Sequence, residues 1–436
     1  MERLIYEKLV KWKNEEVLIP LMVIGARQIG KTYIIKEFCE REFSKYIYVN
    51  LKERQDIVSI FENDGDNYLT KMQKFFSIVG HVPEDDEVIF FDEVQESETL
   101  ISLLKAINED EHPYKVVCAG SLLGVRLKRM STSFPVGKVR MINMYPMTFE
   151  EFLMNVTTKE AITMIEDHFK NNEALDDTMH KHFLKLYRDY LVIGGMPESV
   201  KNYIENDKDI LRINRNILSD IIDSYKEDMT KYVFNKFEAN KIRAVYESIS
   251  SQLAKENKKF KYSMISSNAR SRDYETAFDW LVSSGLIIPS YSVSECVSPL
   301  KASMNKDSFK VYFNDVGLLL RDYDISLSKI LFDEDFRAKG AITENYVMSE
   351  LVANGNKLYY YQVNQVCEID AIIESAGRPI PIEVKSGENK KSRSLNYYRE
   401  KFDPDIVYRI SQNNFGIKDD IKSIPLYAVF CIKKDY

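Results

Sequence analysis

A glycine-rich segment near the start of the 436-residue chain has the residue types of a phosphate-binding loop. It reads GARQIGKT, with a lysine and a threonine directly after the second glycine. In such a loop, backbone N–H groups surround a phosphate, the lysine reaches the β- and γ-phosphates, and the threonine hydroxyl binds Mg²⁺. ATP and Mg²⁺ are therefore the predicted cofactors. The predicted nucleotide-binding residues are Gly25, Ala26, Arg27, Gln28, Ile29, Gly30, Lys31 and Thr32.

The elements on either side of the loop decide how much weight the motif carries. Residues 21–24 form a short apolar run, which is typical of a buried parallel strand. After the loop, Ile34, Ile35 and Phe38 have helical spacing, so a helix is predicted to begin there and to direct its positive end at the anion. The alternative is a glycine turn that arose by chance. The flanking strand and helix favour the phosphate-binding loop.

A second motif places two acids at the end of a predicted buried strand. Residues 88–91 are apolar, and Asp92 and Glu93 follow them. In open α/β sheets, ligands bind at the carboxyl ends of the strands. We expect Asp92 to hold Mg²⁺ through water and Glu93 to act as general base on the attacking water. The two motifs together predict an enzyme, a Mg²⁺-dependent ATPase.

Further candidates follow the next predicted strand, residues 114–121. Ser121, at its end, either senses the γ-phosphate or the attacking water, or caps the following turn. Arg126, Arg129 and Arg140 come later, and any of them could neutralise charge in the transition state, in cis or in a neighbouring subunit. Each is also a common type of surface residue, so the sequence selects none of them.

The end of the chain carries a second set of acids with a lysine. Glu344 lies on a predicted amphipathic helix and Asp370 on a predicted strand. Glu383 and Lys385 are predicted to share one face of the next strand. The ordered set resembles the PD-(D/E)xK nuclease signature. The carboxylates would hold a Mg²⁺ that stabilises charge on a phosphodiester, while Lys385 would orient or help to deprotonate the metal-bound water.

The alternative for this set is a nuclease-like fold that does not cleave. An E-x-K pattern occurs by chance on many strands, and Ile369 replaces the proline that usually precedes the first acid. Lys390, Lys391 and Arg393, just beyond the set, could bind a nucleic-acid backbone. Cleavage and a scaffold role both stay open.

The middle of the chain is predicted to be mainly helical from residue 149 to about 232. One amphipathic face is more typical of core than of a base-stacking surface. Its residues are Phe183, Leu184, Tyr187, Tyr190 and Leu191.

Residues 240–289 predict three helices and a short strand, with a basic cluster that could bind DNA phosphates. The cluster consists of Lys255, Lys258, Lys259, Lys261, Arg270 and Arg272. Asp273, Glu275 and Asp279 on the predicted last helix argue against base recognition. Packing without DNA contact is therefore the alternative for this segment.

The ordered motifs GARQIGKT, VIFFDEVQ, CAGSLLG, SFPVGKVRMINMYPMTFEEFL and GGMPE, with the tail, resemble one family. It consists of bacterial and archaeal AAA-type ATPases that end in a DUF4143 domain. The resemblance covers nearly the whole chain and implies an α/β protein that forms a homo-oligomer. The implied parts are a P-loop NTPase core with an AAA-like parallel sheet (1–150), a helical lid (151–238), a winged-helix-like segment (239–300) and a C-terminal α/β restriction-endonuclease-like domain (301–436).

Composition restricts the class of protein further. The net charge of −7 argues against a basic nucleic-acid coat, although a local basic face remains compatible with it. No apolar run is long enough to predict a transmembrane helix, and the charged N-terminus is unlike a signal peptide. The five cysteines have no CxxC spacing, which favours a reducing cytoplasm over a zinc site.

Together these features predict an ATPase whose nucleotide cycle regulates a nuclease-like tail acting on DNA or RNA. One alternative is a regulatory or assembly protein with a non-catalytic tail. Another is a DNA-binding switch that acts through the winged-helix-like segment. The sequence does not distinguish DNA from RNA.

Overall fold

The computed structural model describes residues 1–110, 113–130, 137–231, 236–363, 366–387 and 393–434. The chain folds into two compact units. The N-terminal unit comprises Glu2–Tyr145 together with the tripeptide Ser283–Gly285. The C-terminal unit comprises Met1, Pro146–Val282 and Leu286–Tyr436. All five cysteines are free thiols.

The N-terminal unit is a parallel sheet with helices, and its strands and helices alternate along the chain. The all-parallel sheet has the order β2-β3-β4-β1-β5. Its strands are β1 (Leu21–Ile24), β2 (Lys45–Asn50), β3 (Glu87–Asp92), β4 (Val116–Gly120) and β5 (Arg140–Asn143). Its helices are α1 (Ile5–Lys13), α2 (Lys31–Glu42), α3 (Gln55–Phe61), α4 (Tyr68–Val79), α5 (Glu98–Asn108) and α6 (Leu123–Arg129).

Continuous apolar runs make the central strands of this sheet. Every residue of β3 and of β4 is buried, as expected of parallel strands with both faces covered. The core that they share with α3, α4 and α5 includes Met22, Phe75, Phe91 and Leu104. Strands β3, β4 and β1 are neighbours in the sheet and run in the same direction. Their carboxyl ends therefore lie side by side at one edge of the sheet.

The tripeptide Ser283–Gly285 packs tightly on the rest of the N-terminal unit. A Cβ at Gly124 would lie 2.2 Å from the carbonyl oxygen of Ser283, so only glycine fits there. Gly285 has φ of +73°, and a Cβ there would lie 3.3 Å from the backbone nitrogen of Ala26. A segment far along the chain therefore rests against the predicted phosphate-binding loop.

The C-terminal unit begins with a series of helices. The described helices are α7 (Phe149–Val156), α8 (Lys159–Asn171), α9 (Asp177–Ile193), α10 (Pro197–Glu205), α11 (Asn216–Lys231), α12 (Lys236–Leu253), α13 (Ser271–Ser283), α14 (Val316–Asp322), α15 (Leu327–Leu331), α16 (Lys339–Ala353) and α17 (Arg393–Phe402). The aromatic face of α9 is buried, as predicted for a core surface. Phe183, for example, is fully buried against Tyr427.

An eight-stranded mixed sheet completes this unit, with the order β12-β13-β11-β10-β9-β8-β6-β7. Its strands are β6 (Ile287–Val293), β7 (Met304–Phe313), β8 (Tyr359–Val363), β9 (Cys367–Ser375), β10 (Arg378–Val384), β11 (Val407–Ser411), β12 (Gly416–Lys418) and β13 (Ile421–Pro425). Strands on both sides of residue 300 thus form one sheet, β6 pairing with β7 and with β8. The division of the chain at residues 150, 238 and 300 stays a prediction.

Helix α7 meets a buried carboxyl at its N-terminus. Thr148 caps the helix with a reciprocal Glu151 contact, and Glu350 of α16 accepts a hydrogen bond from the backbone N–H of Phe149 at 2.9 Å. The Tyr190 hydroxyl lies 3.4 Å from the same Glu350 oxygen. Burial raises the pKa of Glu350 to about 8, and the nearby acids Glu150 and Glu151 act in the same direction. Glu350 is therefore protonated in the folded protein at neutral pH.

This buried carboxyl predicts that stability falls as pH rises. Above its ordinary pKa of 4.5, unfolding releases the proton of Glu350, and this release favours the unfolded state until pH reaches about 8. The loss is about 1.4 kcal/mol per pH unit at most. We expect Glu350→Gln to flatten this slope in urea unfolding between those pH values. The exposed Glu198 provides the matched control, Glu198→Gln, which should keep the parental slope; an unchanged slope in Glu350→Gln would refute the assignment.

Candidate functional site

The predicted phosphate-binding loop connects β1 to α2 with a backbone that requires glycine. A Cβ at Gly25 would lie 2.2 Å from the carbonyl oxygen of Met144, so no larger residue fits. Gly30, at the N-cap of α2, has φ of 90°, in the left-handed region. Gln28, between them, also has a positive φ of 64°. The loop thus curls tightly before the helix, as the sequence predicts.

The side chain of Lys31 folds back onto the carbonyl groups of this loop. Its ammonium donates hydrogen bonds to the carbonyl oxygens of Gly25 at 2.9 Å and Ala26 at 2.6 Å. Burial lowers the pKa of Lys31 to about 8, whereas the charges of Glu93 and Asp92 oppose the shift. An anion bound at the loop would replace the two carbonyl oxygens as the acceptor of the Lys31 hydrogen bonds. Its negative charge would raise the pKa of Lys31 again and stabilise the charged ammonium.

Thr32 and Asp92 lie together, as the sequence predicts for two residues that bind one cation. The Thr32 hydroxyl donates to Oδ2 of Asp92 at 2.8 Å. The Tyr48 hydroxyl lies 3.2 Å from the same oxygen, and the N–H of Glu93 donates to Oδ1 at 3.0 Å. Burial raises the pKa of Asp92, and the hydrogen bond from Thr32 opposes this. A hydroxyl and a carboxylate oxygen are ligands that Mg²⁺ prefers, so the pair fits this ion.

Glu93 is held through one of its two carboxylate oxygens. Its backbone is left-handed, with φ of 53° at the end of β3. Gln95 Nε2 donates to Oε2 of Glu93, and the Ser121 hydroxyl lies 3.4 Å from that oxygen. Helix α6 begins without a side-chain cap. The geometry therefore joins Ser121 to Glu93 and gives no support to the capping alternative.

Gln95 is itself fixed by close packing. It is buried, and a Cβ at Gly120 would lie 2.0 Å from its Oε1, so β4 must end in glycine to leave it space. Within the described part of the chain, that Oε1 has no hydrogen-bond partner. The amide is thus positioned with its donor end towards Glu93.

Three contacts at this site were missed by the sequence analysis. Tyr48 reaches Asp92 from β2, and Gln95 reaches Glu93 from the turn after β3. The guanidinium of Arg3 donates to the carbonyl oxygens of Ile29 and Tyr145, both at 2.8 Å. Proximity to the acid pair was a signal for Gln95, whereas no local pattern marks Arg3.

Two of the candidate arginines pair with acids of the same unit. Arg126 lies 3.0 Å from Glu98, and Arg140 pairs with Glu15. The side chain of Arg129 lies outside the described residues, as do Lys390 and Lys391. The geometry does not single out any of the three arginines for a transition-state role.

Each acid of the predicted tail set has partners within the protein. Oε1 of Glu344 lies 3.3 Å from the ammonium of Lys310, and its other oxygen pairs with Lys258. Asp370 accepts a hydrogen bond from the N–H of Val384 at 2.8 Å. Burial raises the pKa of Asp370 to about 6, and the Glu344 charge adds to the shift.

The E-x-K pair of the tail is also internally satisfied. Glu383 lies 2.9 Å from Lys385 and 3.0 Å from Arg409 of β11, one cation on each oxygen. Among the residues that the structure describes, no three His, Cys, Asp or Glu side chains are grouped so that they could hold a metal ion. A divalent cation at this set would have to displace these ion pairs.

The predicted basic cluster is divided between two environments. Lys258 is drawn into the tail through its pair with Glu344. The backbone of Lys259 bridges to Lys310, which places this segment beside β7. The remaining members are exposed between the end of α12 and the first turn of α13, and they are Lys255, Lys261, Arg270 and Arg272.

Comparison with known families divides the chain into three matched segments. Residues 19–153 match an AAA domain, and residues 339–429 match a domain of unknown function, DUF4143. The chain carries an AAA domain and a DUF4143 domain. The resemblance to an AAA domain followed by a DUF4143 domain is therefore confirmed, and the chain is an α/β protein as predicted. Residues 184–326 match another domain of unknown function, DUF8612, which the sequence analysis did not anticipate.

Solved structures show only distant similarity. The ORC2 protein of Aeropyrum pernix, in ADPNP–ADP complexes, is 12% identical, with 78% of this chain and 94% of that chain covered and a TM-score of 0.38. The RuvB Holliday junction branch migration motor of Thermotoga maritima is 14% identical, with 68% and 89% covered and a TM-score of 0.27. These scores are too low to assign a common overall structure. No curated protein matches the chain.

The AAA domain makes the contact between Gln95 and Glu93 testable through ATP turnover. We expect Gln95→Met, which keeps the volume but removes the donor, to lower kcat for ATP hydrolysis roughly tenfold and KM much less, because a poorly oriented base costs part of its contribution. The exposed Gln73 supplies the control Gln73→Met, which should behave like the parent. A kcat equal in both variants would show that Gln95 does not position Glu93.

No helix within the described ranges is long and apolar enough to cross a membrane.

Proposed function

We propose that the N-terminal unit binds ATP with Mg²⁺ and hydrolyses it. The observation that supports this most directly is the 2.8 Å hydrogen bond between Thr32 and Asp92 beside the loop that Lys31 closes. It brings the two predicted ligands of one cation to the carboxyl edge of a parallel sheet. This is the edge at which open α/β sheets bind ligands.

Each residue of the site has a defined task in the proposed reaction. The backbone N–H groups of the loop and the N-terminus of α2 would hold the phosphates. Lys31 would exchange the carbonyls of Gly25 and Ala26 for phosphate oxygens. Thr32 and Asp92 would hold Mg²⁺, which neutralises charge on the phosphates. Glu93 would accept a proton from the attacking water through Oε1, since Gln95 and Ser121 both contact Oε2.

Two substitutions separate binding from hydrolysis. Lys31→Ala should weaken ATP binding more than tenfold, because a charged contact to the phosphates is lost. Glu93→Gln should keep ATP binding but lower kcat by about 10²-fold or more, because the general base is removed. Fluorescent ATP-analogue titration and steady-state phosphate release measure the two effects.

Exposed residues of the same unit provide matched controls. Lys45→Ala and Glu84→Gln remove the same groups from the surface and should leave binding and turnover unchanged. If Lys31→Ala and Glu93→Gln both hydrolyse ATP at the parental rate, the proposal is wrong.

For the tail, we propose that the nucleotide cycle regulates the C-terminal unit as a binding or assembly module. Support comes from the carboxylates of Glu344 and Glu383, each of which already has two protein cations. Exposed cations such as Arg270 and Arg272 offer contacts to an acidic partner, including DNA or RNA phosphates. We also propose that the chain forms a homo-oligomer, which mass measurement with and without a non-hydrolysable ATP analogue would test.

A metal-dependent nuclease is the second candidate for the tail. The element order of α16, β8, β9, β10, α17 and β11 places an acid on the first helix and acids on the second and third strands, as the predicted signature requires. If this candidate is right, the chain cleaves DNA or RNA with Mg²⁺ or Mn²⁺, and Asp370→Ala and Lys385→Ala each abolish cleavage. Cleavage that survives both substitutions would come from a contaminant, and the absence of cleavage would leave the binding module.

A further inference from the structure

A buried lysine that the predicted signature does not contain lies beside two of the predicted tail acids, Glu344 and Asp370, and beside Glu368. Lys310 of β7 is only 1% exposed, and its ammonium lies 2.7 Å from Glu368 and 3.3 Å from Glu344. The Tyr360 ring lies beneath it, with its centroid 5.1 Å from the nitrogen. Burial lowers the pKa of Lys310, but the charges of Glu344, Glu368 and Asp370 outweigh burial and raise it overall. Lys310 is thus a permanent cation among three acids.

Backbone pairing holds this lysine in place. Strand β7 pairs with β6 in antiparallel register, with Lys310 opposite Ser290. On its other side, the N–H of Phe260 donates to the carbonyl of Phe309 at 2.8 Å, which brings Lys258 alongside. The two lysines therefore approach Glu344 from neighbouring backbone segments that are hydrogen-bonded to each other.

Glu344 is fully engaged by these neighbours. Tyr312 donates to its Oε1 at 2.5 Å, Lys310 lies near the same oxygen, and Lys258 pairs with Oε2. Burial raises the pKa of Glu344, but the two lysine charges more than offset this and lower it to about 2. A divalent cation would have to compete with two ammonium groups and a hydroxyl for this carboxylate.

The charges of the whole set balance without any added ion. In their charged forms the set has four acids and four cations. The acids are Glu344, Glu368, Asp370 and Glu383, and the cations are Lys258, Lys310, Lys385 and Arg409. An isolated buried carboxylate is costly, and clusters of them attract metals for that reason. Here the attraction is already met by side chains of the chain itself.

We propose that Lys310 is the resident cation of the tail acid cluster, in the role that a divalent metal would have in a metal-dependent nuclease. The cluster consists of Glu344, Glu368 and Asp370, and Lys310 neutralises it in place of a metal. The fold of the C-terminal unit therefore does not require divalent ions. This inference concerns the tail alone and does not rest on ATP hydrolysis in the N-terminal unit.

Metal titration of the nucleotide-free full chain tests this. In calorimetry with Mn²⁺, the parent should show no binding that Asp370→Asn or Glu344→Gln removes. The difference between its melting temperatures in Mn²⁺ and in EDTA should be the same as in Asp370→Asn. Asp92→Asn serves as the separate control for metal at the N-terminal unit. One Mn²⁺ per chain, lost in Asp370→Asn and kept in Asp92→Asn, would overturn the proposal.

Replacing the lysine tests its role directly. Lys310→Met should lower the melting temperature by several degrees in EDTA, because Glu344 and Glu368 lose a buried cation, and Mn²⁺ should restore part of the loss. The double variant Lys310→Met with Glu344→Gln should recover stability in EDTA, since the charge is balanced again. Its melting temperature should not change when Mn²⁺ is added. Parental stability of Lys310→Met would refute the role of Lys310. If Lys310→Met does not fold, the calorimetry on the parent decides alone.

Discussion

The parallel alignment of β1, β3 and β4 is the constraint on which the proposed nucleotide site depends. Because the three strands run in the same direction, their carboxyl ends deliver Thr32, Asp92 and Ser121 to one edge of the sheet. The residues come from distant parts of the sequence, and none of the flanking loops could bring them together alone. Glycines at Gly25 and Gly120 then let neighbouring groups approach at distances that a side chain would prevent.

The sequence predicted this edge well, because each part has a local signature. Apolar runs mark the strands, glycines mark the loop, and an acid pair marks the end of β3. The supporting contacts had no such signature. Tyr48 reads as an ordinary strand residue, and its contact with Asp92 arises only from the pairing of β2 with β3. Arg3 lies before the first helix and is linked to Ile29 by tertiary packing alone.

For the tail, the sequence pattern predicted the order of the elements but not the charges that surround the acids. Helix α16 and strands β9 and β10 were predicted in the right order. What the pattern did not contain was the set of cations around them. Lys310 and Lys258 precede the acids in sequence and reach them through the pairing of β7 with its neighbours. The sequence pattern of these acids suggests a metal site. In the folded protein, however, lysines from distant parts of the chain neutralise them.

The tripeptide Ser283–Gly285 limits how this protein can be divided for study. Its residues belong to the N-terminal unit although more than a hundred residues separate them from Tyr145. A fragment that stops near residue 150 would retain all five strands of the parallel sheet but would lack the piece that fills the space beside Gly124. The excised domain would expose backbone next to its nucleotide loop. Measurements on such a fragment would describe an incomplete N-terminal unit, whereas the intact chain contains all of its residues.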